Sequence, residues 1–293
     1  MNGITRRLWM GGAAAIALGS SAARAEDRFA GLARTFAQIE AERGGRLGVA
    51  VLDTGSGRRA GYRQDERFAM CSTFKLLLAG AVLARADAGK ERMDRRIVVT
   101  RQDLAGWSPA TERNLGGEGM TLTALCDAAV ALSDNGAANL LLRTLGGPEG
   151  LTAYVRTLGD TVTRLDRWET ALNEAIPGDP RDTTTPAAML ADMQALTLGN
   201  ALSATSREQL VTWMRASKTG DKRLRARLPR GWQEGNKTGT GERRTSNVVG
   251  ILWPPGGRPP VLVAAYLTEG AASAETRDAA LADVGAAVAA ALT

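Results

Sequence analysis

The sequence predicts a mixed α/β (α+β) fold, with a helical lobe inserted into a sheet-bearing lobe that is built from both ends of the chain. Two observations carry this expectation. Strand-like runs occur near the start, at residues 47–52, and again near the end, at residues 246–253 and Val261–Thr268, whereas the middle from about Ser72 to Ser217 is dominated by helical spacing. In chain order, Phe29, Leu32, Phe36 and Ile39 mark an opening helix, residues 47–52 the first strand, and Asp53-Thr54-Gly55-Ser56-Gly57 a hairpin-type turn. Residues 68–83 are almost wholly apolar and read as a buried helix with Ser72 near its N-terminus. Leu122, Leu125, Ala129 and Leu132 share one face of a later helix. Pro254-Pro255-Gly256-Gly257 joins the last two strands, and an alanine-rich helix begins at Ala274. These elements place the sheet lobe at residues 26–68 and 218–293 and the helical lobe at 69–217.

Residues 1–25 read as a cleavable export signal. Arg6-Arg7 precedes a short apolar run, residues 11–19, and Ala23-Arg24-Ala25 supplies the small residues of a cleavage site. The arginine pair followed by hydrophobics fits a twin-arginine signal. The apolar run is too short to span a bilayer and no later segment substitutes, so a periplasmic or secreted protein with no stable membrane anchor is expected. Arg6, Arg7 and Arg24 leave with the signal and no acid does, which removes half of the formal charge of +6. The remaining basic cluster, residues 222–230, reads as a solvated helix and turn, and no nucleic-acid partner is expected.

The chain contains no histidine. A Ser-His-Asp triad is therefore impossible, and a serine nucleophile must take its base from a lysine or a carboxylate. Ser72 and Lys75 offer that arrangement, because a three-residue spacing on a helix puts hydroxyl and amine on one face. A lysine within an apolar helix must be paired or have its pKa lowered by desolvation, and either suits proton transfer. Taken alone, the pair reads equally well as a snorkelling lysine. Ser133-Asp134-Asn135 alone reads as a turn or cap just past a helix end. Lys237-Thr238-Gly239-Thr240-Gly241 alone reads as a glycine-containing turn or edge strand, and Glu169 as a loop carboxylate beside an arginine. With no histidine and two isolated cysteines, Cys71 and Cys126, no metal or other cofactor is expected.

Taken together and in this order, Ser72-Thr73-Phe74-Lys75, Ser133-Asp134-Asn135, Glu169 with Asn173, and Lys237-Thr238-Gly239 resemble the signature of the class A serine β-lactamases. The resemblance extends to Trp107-Ser108-Pro109, Asp166-Arg167-Trp168-Glu169, residues 178–186 and Trp253-Pro254, and so covers nearly all of the chain beyond residue 25. It implies a five-stranded antiparallel sheet flanked by helices, an inserted all-helical lobe, and an active site between the two. It also implies an Ω loop at about 167–182, closed by an ion pair between Arg167 and Asp182.

The same resemblance implies hydrolysis of the β-lactam amide of penicillins and cephalosporins, hence antibiotic resistance, with a small-molecule substrate as partner; a monomer is expected. Ser72 would be the nucleophile, with an oxyanion hole from the backbone N–H groups of Ser72 and Thr240. Lys75 and Ser133 would move the proton, and Glu169 with Asn173 would hold the deacylating water. Whether Lys75 or Glu169 is the acylation base stays open. Lys237, Thr238, Gly239 and Thr240 would receive the substrate carboxylate. Arg223, paired with Asp278, would replace an arginine that many members carry where this chain has Ser246. Asn135 would meet the acyl side-chain amide, and Trp107 would wall the cleft. Each cysteine lacks the partner it has in other members, at Ala79 for Cys126 and at Gly241 for Cys71, which implies two free thiols. Carbapenem hydrolysis stays open, since Trp107, Thr240 and Arg223 favour it and the unbridged Cys71 does not. The competing readings are a penicillin-binding D,D-peptidase and a β-lactam sensor that stays acylated, neither of which needs Glu169 and Asn173.

Overall fold

The computed structural model describes residues 28–292; the export signal read over residues 1–25 lies outside them. Helix α1 (Leu32–Arg43) buries Leu32, Phe36 and Ile39. Strand β1 (Arg46–Asp53) returns as β2 (Arg59–Tyr62) through a turn held by Asp53, whose carboxylate accepts from Gly55 N at 3.1 Å and Ser56 Oγ at 2.5 Å. The short β3 (Phe68–Ala69) leads through a 3-10 turn, Cys71–Thr73, into α2 (Phe74–Asp87). Strands β4 (Arg96–Val99) and β5 (Gly116–Thr121) precede helices α3 (Leu122–Ala131), α4 (Asn135–Leu145) and α5 (Pro148–Thr157). After β6 (Thr183–Thr184) come α6 (Pro186–Thr197) and α7 (Ala204–Arg215). The chain then returns to the sheet with β7 (Gln233–Gly241), β8 (Thr245–Trp253) and β9 (Val261–Thr268), and closes on α8 (Ala274–Ala291).

The five-stranded sheet runs β2-β1-β9-β8-β7, antiparallel throughout. Its centre joins the two ends of the chain, with β1 paired to β9 from Arg46↔Thr268 to Asp53↔Val261. Both faces are covered, so β9 reads as an unbroken apolar run and not as an alternation. Val261, Val263, Ala265 and Leu267 pack with Leu32, Phe36, Leu281 and Val288 of the flanking helices α1 and α8. Leu262, Ala264 and Tyr266 face the other way, into the core shared with α2, α3, α4 and α7. β7 is left as an edge strand along the boundary with the insertion.

Two expectations need correction. The inserted lobe is not all helical, because β4 and β5 form an antiparallel ribbon and β3 pairs with β6. Periodicity could not reveal β5, whose Gly116, Gly117 and Gly119 carry no side-chain pattern and take positive φ. The helix read from residue 68 begins only at Phe74, because Cys71 adopts a φ of 46° that no right-handed helix accommodates. The basic cluster is a 3-10 turn, Leu224–Arg227, from which Arg225 pairs with Asp221 and Glu234. Among the described residues no helix is long and apolar enough to cross a membrane.

Candidate active site

Ser72 stands on the 3-10 turn ahead of α2. The left-handed backbone at Cys71 costs a residue with a Cβ roughly 1–2 kcal/mol, so the turn must be held from outside. Asn247 Nδ2 on β8 donates to Ala69 O at 2.9 Å and Met70 O at 3.1 Å. On β7, Gly239 approaches so closely that a Cβ there would lie 2.7 Å from Met70 O. That approach explains the glycine of Lys237-Thr238-Gly239.

Lys75 sits in the first turn of α2 with no exposed surface. Its Nζ is 3.0 Å from Ser72 Oγ, 2.9 Å from Ser133 O, 2.6 Å from Asn135 Oδ1 and 2.9 Å from Glu169 Oε1. Burial pushes the Lys75 amine below its ordinary range, with Glu169 opposing the shift. An ammonium has three hydrogens. Ser133 O, Asn135 Oδ1 and Glu169 Oε1 can absorb all three, which leaves Ser72 Oγ free to give its own.

Asp134 caps α4, accepting from Ala137 N at 2.8 Å, and also takes Ala110 N at 2.7 Å and Thr111 N at 3.0 Å. The cap reading and the site reading of Ser133-Asp134-Asn135 therefore coexist, because the central residue anchors the turn that its two neighbours project from. Ser133, at φ 60°, accepts from Lys237 Nζ at 3.0 Å. Lys237 also donates to Thr238 O at 2.8 Å, and burial together with the cations of Lys75 and Arg223 pushes its amine well below its ordinary value.

Glu169 is buried, with Oε1 3.4 Å from Ser72 Oγ and Oε2 accepting from Asn173 Nδ2 at 2.5 Å. Asn139 on α4 clamps the Glu169 backbone from both sides: its Oδ1 takes Glu169 N and its Nδ2 reaches Glu169 O, each at 3.0 Å. The loop is closed at its neck by Asp182, which accepts from Asp166 N at 2.8 Å, Arg167 N at 2.9 Å and Arg167 Nε at 2.5 Å.

Arg223 is buried and uses four of its five N–H groups: Nε on Asp278 Oδ1 at 2.8 Å, Nη1 on Gly239 O at 2.8 Å and Asn247 O at 2.5 Å, and Nη2 on Thr240 Oγ1 at 2.7 Å. Ser246 instead accepts from Arg277 Nε at 3.2 Å. Trp107 is 63 % exposed, with its Nε1 tied to Leu132 O at 2.9 Å, so it is a wall and not a core residue.

Ser72, Trp107, Ser133, Asn135, Asn173, Arg223, Thr238 and Thr240 line one cleft of about 210 Å³. Lys75, Glu169 and Lys237 join it through the contacts above, and Gly239 through its backbone. A larger cavity of about 470 Å³ lies between the Ω loop and the end of the sheet, lined by Arg46, Arg67, Asp179 and Arg181 among others. It holds no nucleophile beside a base, so the smaller cleft is the candidate site. Two of its residues escaped sequence reasoning. Thr219 lines the cleft and lies 2.6 Å from Thr238 Oγ1, and nothing in its surroundings signalled it. Asn139 had a signal, a second asparagine one helical turn after Asn135 on a helix that is otherwise apolar as far as Leu142. Both cysteines are free and buried, and burial pushes the Cys71 thiol up to about 12.

Comparison with known proteins follows the same lines. Residues 31–292 match the model of the β-lactamase enzyme family. An ancestral class A β-lactamase is 61% identical, with a TM-score of 0.86 over 88% of this chain and 98% of that one. The class A β-lactamase of the last common ancestor of Gram-negative bacteria is 60% identical, with a TM-score of 0.88 over 90% of this chain and 100% of that one. PenP of Rhodopseudomonas palustris, assigned to class A, is 57% identical, with a TM-score of 0.86 over 89% and 99% of the two chains. This chain belongs to the β-lactamase enzyme family and, within it, to the class A serine enzymes that hydrolyse β-lactams.

Proposed function

We propose that the protein opens the β-lactam amide of penicillins and cephalosporins by forming an acyl-enzyme on Ser72, and frees itself with water activated by Glu169. The observation that carries this reading is the reach of one carboxylate: Glu169 Oε1 is 2.9 Å from Lys75 Nζ and 3.4 Å from Ser72 Oγ. Ser72 thus has two proton acceptors within a short distance, Lys75 directly when its amine is neutral, the form that burial favours, and Glu169 either directly or through a water. As the proton leaves, Oγ attacks the lactam carbonyl carbon. The backbone N–H groups of Ser72 and Thr240 stabilise the oxyanion, each worth about two to three powers of ten in rate.

Collapse of the tetrahedral intermediate breaks the C–N bond. The departing nitrogen takes a proton delivered by Ser133 and resupplied by Lys75; where Glu169 accepted the Ser72 proton, it passes that proton to Lys75 and is a carboxylate again. A water beside Glu169 and Asn173 then gives its proton to the carboxylate and attacks the ester carbon, and Ser72 recovers its hydrogen as the acid leaves. Lys237 and Thr238 bind the substrate carboxylate. Arg223 holds Thr240 Oγ1 as an acceptor, so the Thr240 hydroxyl gives its own hydrogen to the cleft. Asn135 and Trp107 receive the acyl side chain. One copy of the chain supplies every group, so a monomer suffices, and the protein works after export, where β-lactams meet their targets.

Initial rates on a penicillin and on a chromogenic cephalosporin test the breadth. Turnover of both is expected, and turnover of the penicillin alone would reject the cephalosporin arm.

A further inference from the structure

Glu234, Asn236, Thr238 and Thr240 share one face of β7. Only the two threonines line the cleft. The other two continue away from it along a buried line of polar groups. Thr238 Oγ1 is 2.6 Å from Thr219 Oγ1, which is 3.5 Å from Ser217 Oγ. Ser217 Oγ donates to Asn236 Oδ1 at 2.9 Å, and Asn236 Nδ2 donates to Glu234 Oε2 at 2.9 Å. At the far end Glu234 Oε2 also accepts from Arg225 Nε at 3.0 Å, while Oε1 is buried without a partner. The charges that face this carboxyl are Arg225 and Asp221; β8 presents no charge, with Leu252 opposite Glu234 in the register and Gly250, whose Cβ would lie 3.4 Å from Oε1. Burial pushes the Glu234 carboxyl up to about 7, with Asn236 and Arg225 opposing.

Each hydroxyl in the line owns one hydrogen, so the line has a direction. With Glu234 ionised, the Asn236 NH₂ group must face it. Asn236 Oδ1 then takes the Ser217 hydrogen, Ser217 takes that of Thr219, and Thr219 takes that of Thr238. The hydrogens run away from the cleft. With Glu234 protonated, Oε2–H donates to Asn236 Oδ1 once the amide turns over, Nδ2 donates to Ser217, and the series reverses until Thr238 points its hydrogen into the cleft.

We propose that Glu234 is a positioning residue whose proton sets the direction of this hydroxyl line, and so decides whether Thr238 meets a β-lactam carboxylate with a hydrogen or with a lone pair. The proposal rests on the reading that Thr238 binds that carboxylate. It makes substrate affinity, and not the chemical step, sensitive to pH near neutrality.

The test is KM and kcat for a penicillin from pH 5.5 to 8.5 in the parent enzyme, Glu234→Gln and Ser217→Ala. In the parent, KM rises about tenfold or more as pH passes upward through about 7, the size expected of one hydrogen bond to a charged group, and kcat does not follow it. Glu234→Gln, which cannot ionise, has a KM that is flat across the range. Ser217→Ala interrupts the line with Glu234 intact, and its KM is flat too, which also carries the test if the glutamine variant does not fold. A merely structural Glu234 would lower kcat or Tm alike at every pH and leave the KM profile unchanged. Identical KM profiles in the parent and both variants would overturn the proposal. Absence of turnover by the parent at any pH would remove the underlying reading and the positioning role with it, a result distinct from identical profiles.

Discussion

Lys75 Nζ lies 2.9 Å from Glu169 Oε1, and neither side chain has any surface open to solvent. Such a pair is costly to bury unless its remaining hydrogen-bonding positions are filled. Here they are, by Ser133 O and Asn135 Oδ1 on the lysine and by Asn173 on the carboxylate. The Ser72 hydroxyl is the one group that faces both partners, and the account of turnover follows from that placement.

In the proposed mechanism Lys237 serves as a cation, yet burial and its cationic neighbours lower its pKa well below 10.5. It therefore surrenders its proton at a lower pH than a free lysine does. The expected kcat/KM profile falls on the alkaline side well short of pH 10.5, and Lys237→Arg, which keeps its charge, moves that limb upward even if the plateau is lower. The same alkaline limb in both enzymes would contradict the assignment.

Asp182 gathers two backbone N–H groups and the Arg167 guanidinium at the neck of the Ω loop. Asp182→Asn keeps the shape and discards the charge. We expect a loss of about 1–3 kcal/mol in stability and slower release of the acyl group, since the loop carries Glu169. Thermal melts and the fraction of acylated enzyme at steady state by intact mass measure the two effects. Unchanged deacylation would show that the neck does not position Glu169.

A Cβ added at Gly241 would lie 2.6 Å from Cys71 Sγ. That is clash range for alanine, whereas a cysteine there would have its Cβ beside Sγ and can turn the contact into an S–S bond. Gly241→Cys is expected to form a disulfide with Cys71, seen as a loss of one thiol from titration under denaturing conditions, while Gly241→Ala melts lower than the parent. Two titratable thiols beyond that of Cys126 in the oxidised cysteine variant would refute the geometry.

Asp192 is buried on α6, hydrogen-bonded to Asp160, with Oδ2 unpartnered, and burial and that neighbour push its carboxyl up to about 9. The unfolded chain ionises this group near its ordinary value while the folded protein holds it neutral, so its penalty is absent at pH 3 and grows as pH rises toward 9. Asp192→Asn retains a donor to Asp160 and avoids the penalty. Its stability, read from urea denaturation, is expected to match the parent's at low pH and exceed it increasingly up to pH 9, by on the order of 5 kcal/mol at pH 8. A constant difference across that range would rule this out.

Much of the fold was legible in the amino-acid order. The β9 run coincides with its apolar stretch because both faces of that strand are buried, and β8 begins one residue earlier than its pattern, at Thr245. What escaped notice did so for physical reasons. The glycines of β5 leave no periodicity, and Cys71 enters a left-handed turn without a glycine to announce it. At the site, Ser72, Lys75, Ser133 and Lys237 were conspicuous because they sit in short motifs. Asn139, Thr219 and Glu234 belong to no such motif, and a polar residue of that kind looks like any solvated one until the chain is closed around it.

The most direct test is intact-mass analysis of the protein and its Glu169→Ala variant after brief exposure to a penicillin, alongside steady-state hydrolysis. The account predicts many turnovers and no persistent adduct for the parent. For the variant it predicts a single trapped acyl group on Ser72, with turnover reduced by about two powers of ten or more. A parent that itself stays acylated, or a Glu169→Ala variant that turns over as fast as the parent, would contradict the role of Glu169.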